Sequence, residues 1–222
     1  RKVYKYTVIE CSLDEYEPVR EVKHAKPEVH YLLITDSKKL KSKTWDVHNI
    51  SEYPCLDGIN DAIGILNYVR YHPFDFADTS VAIYIDASMM INKPLDKLYE
   101  DFVNSNSDIG LSIHPYRTNV YDELHAWQRA RGLSADDANA QIKLFSKTSF
   151  NKSVLFQSGV IIRRNVKIVN IIDEITWSFL KLTAVDCYSA RLDQTVLTYV
   201  LTTYFSGVNF FLLTQHLIQS SY

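Results

Sequence analysis

A chain of 222 residues with 46% hydrophobic side chains is long enough to bury a substantial core and too apolar to be disordered. Its formal charge of -2 excludes a surface built to wrap nucleic acid, and no apolar run approaches the roughly 20 residues that a membrane span needs. The three cysteines, Cys11, Cys55 and Cys187, are odd in number and lack metal-ligand spacing, which argues against a disulfide framework and for a reducing, cytoplasmic compartment. The chain opens at Arg1 without a signal peptide and is expected to be a piece of a longer polypeptide with further domains.

Residues 3–9 alternate and are rich in β-branched and aromatic side chains, so they are predicted to form a first strand, followed by a polar loop over 10–18. A second strand over 29–36 closes on Thr35-Asp36, and residues 45–50 fit a short third. The cluster Lys38, Lys39, Lys41 and Lys43 between them reads as a solvated turn. From Asp57-Gly58, apolar residues Ile59, Ala62, Ile63, Leu66 and Val69 recur at helical spacing up to Arg70. The run from Ser80 through Tyr84 and Ile85 reads as a strand buried on both faces, the kind found inside a parallel sheet.

A helix over 93–102 and a strand over 109–113 follow, then a helix carrying Leu124, Trp127 and Ala130 that Gly132 stops. Ser134, with Asp137 three residues on, resembles a capping box and starts a helix to about 147. A strand over 158–163, a helix over 166–182, a last helix opened by Arg191-Leu192-Asp193-Gln194 and a closing strand over 208–213 complete the chain. Helices alternating with apolar strands give one α/β domain: a mostly parallel central sheet flanked by helices.

Asp86 falls at the carboxyl end of the presumed central strand, where ligands bind in open α/β sheets. A carboxylate there can hold a divalent cation bound to a nucleotide diphosphate, and Ala87 lets the backbone approach a bulky anion. In an extended segment Ser88 would lie on the same side as Asp86. His216, after the last strand, is a candidate third ligand or an ordinary surface histidine. The plainer reading of Asp86 is a turn or capping residue.

His114 sits at a strand end, and Arg117 has the planar fork that suits phosphate, or else a salt bridge to Asp122 or Glu123. Gln157-Ser158-Gly159 puts a glycine where the backbone passes close to a neighbour, a sugar or a β-bulge partner. Asp193 and Gln194 are either a helix cap or the groups at a reaction centre.

In this order, residues 6–9, 34–36 and 84–88, His114-Pro115-Tyr116-Arg117 with Tyr121-Asp122-Glu123, the run 157–163 and residues 191–194 together resemble the GT-A-fold (Rossmann-like) glycosyltransferases. The nearest pattern is that of the TOD1/MUCI70-like glycosyltransferase domains; glycogenin and the lipopolysaccharide galactosyltransferases are more distantly similar. The resemblance implies a UDP-sugar donor, a glycan or glycoprotein acceptor and a Mn2+ or Mg2+ cofactor. It implies Thr7 and Asp36 near the uridine, and Asp86, Ser88 and His216 at the metal. Arg70, Tyr84, Ala87, His114, Arg117, Gln157, Ser158, Gly159 and Arg191 join the substrate-binding set, with Asp193 and Gln194 at the reaction centre. The triplet Asp86-Ala87-Ser88 departs from the usual Asp-any-Asp pattern, replacing its second carboxylate by a hydroxyl. The Asp193-Gln194 pair resembles the arrangement of retaining enzymes. A non-catalytic nucleotide-sugar or glycan-binding module is the competing reading. A nucleotidyltransferase is disfavoured, because residues 10–18 lack the Gly-rich basic loop it would show.

Overall fold

In the computed structural model, which describes residues 2–14, 18–131, 134–150, 153–184, 193–213 and 218–220, the chain begins with β1 (Tyr6–Ser12), β2 (Val29–Thr35) and β3 (Asp46–Asn49). Two 3-10 turns lead into α1 (Ala62–Tyr71), and a third precedes β4 (Val81–Ile85). There follow β5 (Met89–Ile91), α2 (Asp96–Asn104), β6 (Ile109–Ile113), α3 (Val120–Arg131) and α4 (Ala135–Phe145). The chain continues through β7 (Phe156–Arg164), α5 (Lys167–Thr183), α6 (Asp193–Tyr204), β8 (Phe210–Leu212) and β9 (Ile218–Ser220).

Seven strands form one sheet in the order β3-β2-β1-β4-β7-β6-β8, and β5 pairs with β9 in a small separate ribbon. Every strand of the large sheet runs in one direction except β7, which is antiparallel to both neighbours. The centre is where the sequence is most apolar: all residues of β1 and β4 are buried. Their side chains alternate between two layers. Val8 and Ile83 pack with Leu98 and Phe102 on one face, while Ile9 and Tyr84 pack with Ile65 and Val69 on the other. A third cluster joins Leu111 and Ile161 to Ile172, Val196 and Val200 of the carboxyl-terminal helices. Among the described residues no helix is long and apolar enough to cross a membrane.

The predicted architecture holds, with local corrections. The first strand is shifted: Glu10, Cys11 and Ser12 are buried strand residues rather than loop, because they pair with Leu33, Ile34 and Thr35 of β2. The first helix starts later than Asp57, since Gly58 takes a left-handed φ of 83° in the preceding turn and Asp61 caps the helix by accepting from Gly64 N at 2.7 Å. The predicted stripe packs inward at Ile59, Ala62, Leu66 and Val69 but not at Ile63, which is exposed, and the buried face extends to Asn67 and Arg70. The Ser134 cap forms, accepting from Asp137 N at 3.0 Å. The ribbon of β5 and β9 was not expected; three-residue strands carry too little periodicity to read.

Candidate active site

Asp86 follows β4 directly and extends its pairing with β7 by one rung, its N donating to the Gly159 carbonyl at 2.8 Å. Met89 N then donates back to the Asp86 carbonyl at 2.8 Å. Residues 86–89 are therefore a turn, and the alternation that was to set Ser88 beside Asp86 does not apply. The Asp86 carboxylate is held by one oxygen: Oδ1 accepts from Arg70 Nη2 at 2.5 Å and from the Tyr84 hydroxyl at 3.0 Å. Its side chain keeps 26% of its surface exposed, so Oδ2 is the oxygen these two donors leave over. Burial pushes the Asp86 carboxyl above the ordinary range; Arg70 opposes this and the nearby Asp193 adds to it.

Arg70 reaches the same place from α1 and is buried between two carboxylates. Its Nη1 donates to Asp193 Oδ2 at 2.6 Å and to Asn67 Oδ1 at 3.0 Å, and its guanidinium lies over the Tyr84 ring at 5.1 Å. The Tyr71 hydroxyl also donates to Asp193 Oδ2, at 3.0 Å. Burial holds both tyrosines far above their ordinary range, so their hydroxyls remain donors. Several of the candidates are thus tied together. Arg70 and Tyr84 both donate to Asp86 Oδ1. Asp193, at the start of α6, is 1% exposed and spends Oδ2 on Arg70 and Tyr71. Arg191 and His216, like Cys187, lie outside the described residues.

Gly159 sits against Asp86. A Cβ there would meet Met89 Cε at 2.5 Å and Asp86 Oδ2 at 3.3 Å, so the neighbours it makes room for are the Met89 methyl first and the carboxylate second. Of the two readings of this stretch, the bulge is present. Leu111 of β6 pairs with Ile161, but the next residue, Ser112, pairs with Gln157, leaving 158–160 displaced from β6. Gln194 fills that gap: its Oε1 accepts from Ser158 N at 3.2 Å and its Nε2 donates to Glu123 Oε1 at 2.9 Å.

In the turn after β6, His114 Nδ1 accepts from the backbone N of Tyr116 at 3.2 Å and of Arg117 at 3.0 Å. An Nδ1 that accepts puts the ring proton on Nε2. Burial lowers the His114 pKa, Glu123 raises it and Arg117 lowers it further, so the ring pins this turn in its neutral form. Arg117 does form the salt bridge, Nη1 to Glu123 Oε2 at 2.6 Å, yet its side chain stays 35% exposed.

Asp36 stands at the carboxyl end of β2, its Oδ2 accepting from Asp14 N at 3.1 Å. Thr7 does not join it. Thr7 pairs with His30 and Ala82 at the start of β1, four residues before the level of Asp86 along β4, or about 13 Å at ~3.3 Å per residue. It is buried, bonded to Thr79 Oγ1 at 2.8 Å, and borders a different cavity of about 650 Å³ at the amino-terminal edge of the sheet.

The residue missed at the correct edge is Glu10. Burial, reinforced by Asp86 and opposed by Arg20, raises its pKa from 4.5 to about 8. A carboxyl raised on folding binds a proton that the unfolded chain releases, so stability falls as pH rises from 4.5 to about 8. Glu10→Gln removes that loss: its melting temperature should match wild type near pH 4.5 and exceed it above pH 8. Equal melting temperatures across the range would contradict the assignment.

The family model of the TOD1/MUCI70 glycosyltransferase-like domain matches residues 37–215. No curated protein sequence matches the chain. Among solved structures, mouse xyloside xylosyltransferase 1 is similar at 13% identity and a TM-score of 0.53, covering 95% of this chain and 84% of that one. The bifunctional glycosyltransferase WbbM is similar at 14% identity and a TM-score of 0.57, covering 96% of this chain, which spans only 39% of that protein. LgtC, solved as an active-site glutamine-to-glutamate mutant, is similar at 12% identity and a TM-score of 0.50, covering 94% of this chain and 72% of that one. At such identities the structures establish the GT-A fold, and the family model establishes the rest: the chain belongs to the TOD1/MUCI70 family of glycosyltransferase-like domains, and its chemistry is glycosyl transfer.

Proposed function

We propose that the domain moves a sugar from a UDP-sugar donor, seated at the carboxyl edge of the sheet around Asp86, to a glycan or glycoprotein acceptor with retention of configuration. The observation that supports this most is the Asp86 carboxylate. One oxygen is pinned by Arg70 and Tyr84, and the other is left over in a partly exposed position beside Gly159.

Among the described residues no three His, Cys, Asp or Glu side chains gather as a metal cage. A single carboxylate oxygen suits a hard cation, Mn2+ or Mg2+, that completes its shell with phosphate oxygens and water. Asp86 Oδ2 would hold it, with Ser88 and His216 as further proposed ligands. Once bound it would offset the charge that develops on the departing diphosphate.

Retention is supported by what Asp193 and Gln194 have to offer. The first is ion-paired and buried, and the second is an amide tied at both ends. Neither supplies a free base to an acceptor hydroxyl, so the departing phosphate takes that proton on the face it leaves. LgtC, in which the mutated active-site residue is a glutamine, has such an amide in its own site. Gln194, in the bulge beside Asp86, supplies one here.

UDP-glucose, UDP-galactose, UDP-xylose and UDP-N-acetylglucosamine incubated with the domain and Mn2+ should show release of UDP from at least one, suppressed by a chelator. The anomeric proton of the product should report retention. Turnover of GDP-sugars but no UDP-sugar would overturn the donor assignment, and an inverted product would overturn retention.

A further inference from the structure

Glu123, on α3, is fully buried, yet it is ion-paired with Arg117 and ringed by donors from three stretches of the chain. Its Oε2 accepts from Arg117 Nη1 at 2.6 Å, and its Oε1 accepts from Trp127 Nε1 at 2.6 Å and from Gln194 Nε2 at 2.9 Å. Taking a carboxylate out of water is costly, and an apolar side chain of similar volume would usually hold a core as well. The charge has a more specific consequence at Gln194. An amide side chain can be seated either way round unless its neighbours decide. Here they do: the Ser158 backbone N–H can only meet the carbonyl, and the Glu123 carboxylate can only meet the amino group. Without Glu123 the outer half of that specification is gone.

The geometry points to Glu123 as a positioning residue of the transfer reaction, a role that rests on the reading of Gln194 given above. Its carboxylate fixes the rotamer and the sense of the Gln194 amide, leaving the second N–H of Nε2 for substrate. Its other oxygen holds Arg117 by one nitrogen.

A double-mutant cycle on turnover tests this, with Glu123→Ala, Gln194→Ala and the pair. If Glu123 acts through Gln194, each single change lowers kcat by about 100-fold, the size expected of a misplaced active-site group, and the pair is no worse than Gln194→Ala alone. The KM for the donor changes less than about threefold in Glu123→Ala, since uniform binding is not what is lost. Trp127→Phe, which removes the third donor and leaves the other two, keeps kcat within about twofold of wild type. Multiplicative losses in the double mutant, or an equal loss in Trp127→Phe, would overturn the proposal in favour of a packing role.

A second measurement stands apart from activity. In wild-type protein the Gln194 side-chain amide should give a pair of well-separated, slowly exchanging NMR signals that collapse to the solvent-exposed position in Glu123→Ala. Unchanged signals would overturn the proposal even if no donor is turned over. Absent turnover in wild type with the expected signal change would instead count against the proposed function alone.

Discussion

Replacing Arg70 by methionine is expected to lower the unfolding free energy by about 3–5 kcal/mol, the usual cost of leaving buried charge uncompensated. The guanidinium lies between Asp86 and Asp193, with side chains 4%, 26% and 2% exposed, and it is the described cation that both carboxylates share. Without it the two carboxylates repel each other, Tyr71 and Tyr84 each keep a hydrogen bond to one of them, and Asp193 is left buried with its charge uncompensated. For a domain of this size that loss corresponds to roughly 10 °C in melting temperature, at about 2–4 °C per kcal/mol. Arg70→Lys keeps the charge but not the fork that spans two carboxylates, so it should fall between methionine and wild type. Urea unfolding of the three proteins decides it. A methionine variant within about 1 kcal/mol of wild type would mean that the network is not what joins α1 to the sheet.

Asp86→Ala is expected to behave in the opposite way, losing activity far more than stability. Arg70 retains Asp193 and Asn67 as partners, so no buried charge is stranded and circular dichroism should be that of wild type. Turnover should fall by about 100- to 1000-fold, the scale seen when one group that stabilises developing charge is removed. Asp193→Ala is the instructive contrast. It strips Arg70 of its most deeply buried charged partner and leaves the Tyr71 hydroxyl unpaired, so it should cost stability first, as the buried ion pair requires.

Much of this site is visible in one dimension. The run into Asp86 has the composition of a buried strand, and Gly159 and the Asp193-Gln194 pair could be singled out, each beside a plainer reading as a bulge or a helix cap. All of them converge around the end of β4. What the sequence hides is hidden for physical reasons. Arg70 falls on a helix whose apolar spacing runs through Ile63, yet the buried face carries Asn67 and Arg70, because a network of charges supplies what apolar contact otherwise would. Glu10 looks like the first residue of a loop, whereas the ladder with β2 carries the strand through Ser12. Thr7, carried over from the family resemblance, falls at the amino-terminal end of β1 because the strand runs three residues further than its composition suggested. The reversed direction of β7 leaves no mark, since a strand buried in mid-sheet is equally apolar whichever way it runs. Glu123 was visible only as a salt-bridge partner for Arg117; its bond to Gln194 joins positions 71 residues apart.

The most direct single measurement is isothermal titration of the domain with UDP in the presence of Mn2+ and after its chelation, using wild type and Asp86→Ala. Binding by wild type that disappears on chelation and is lost in Asp86→Ala is the expected result. UDP binding that is indifferent to the cation, or that survives intact in Asp86→Ala, would contradict the placement of the donor diphosphate at the end of β4.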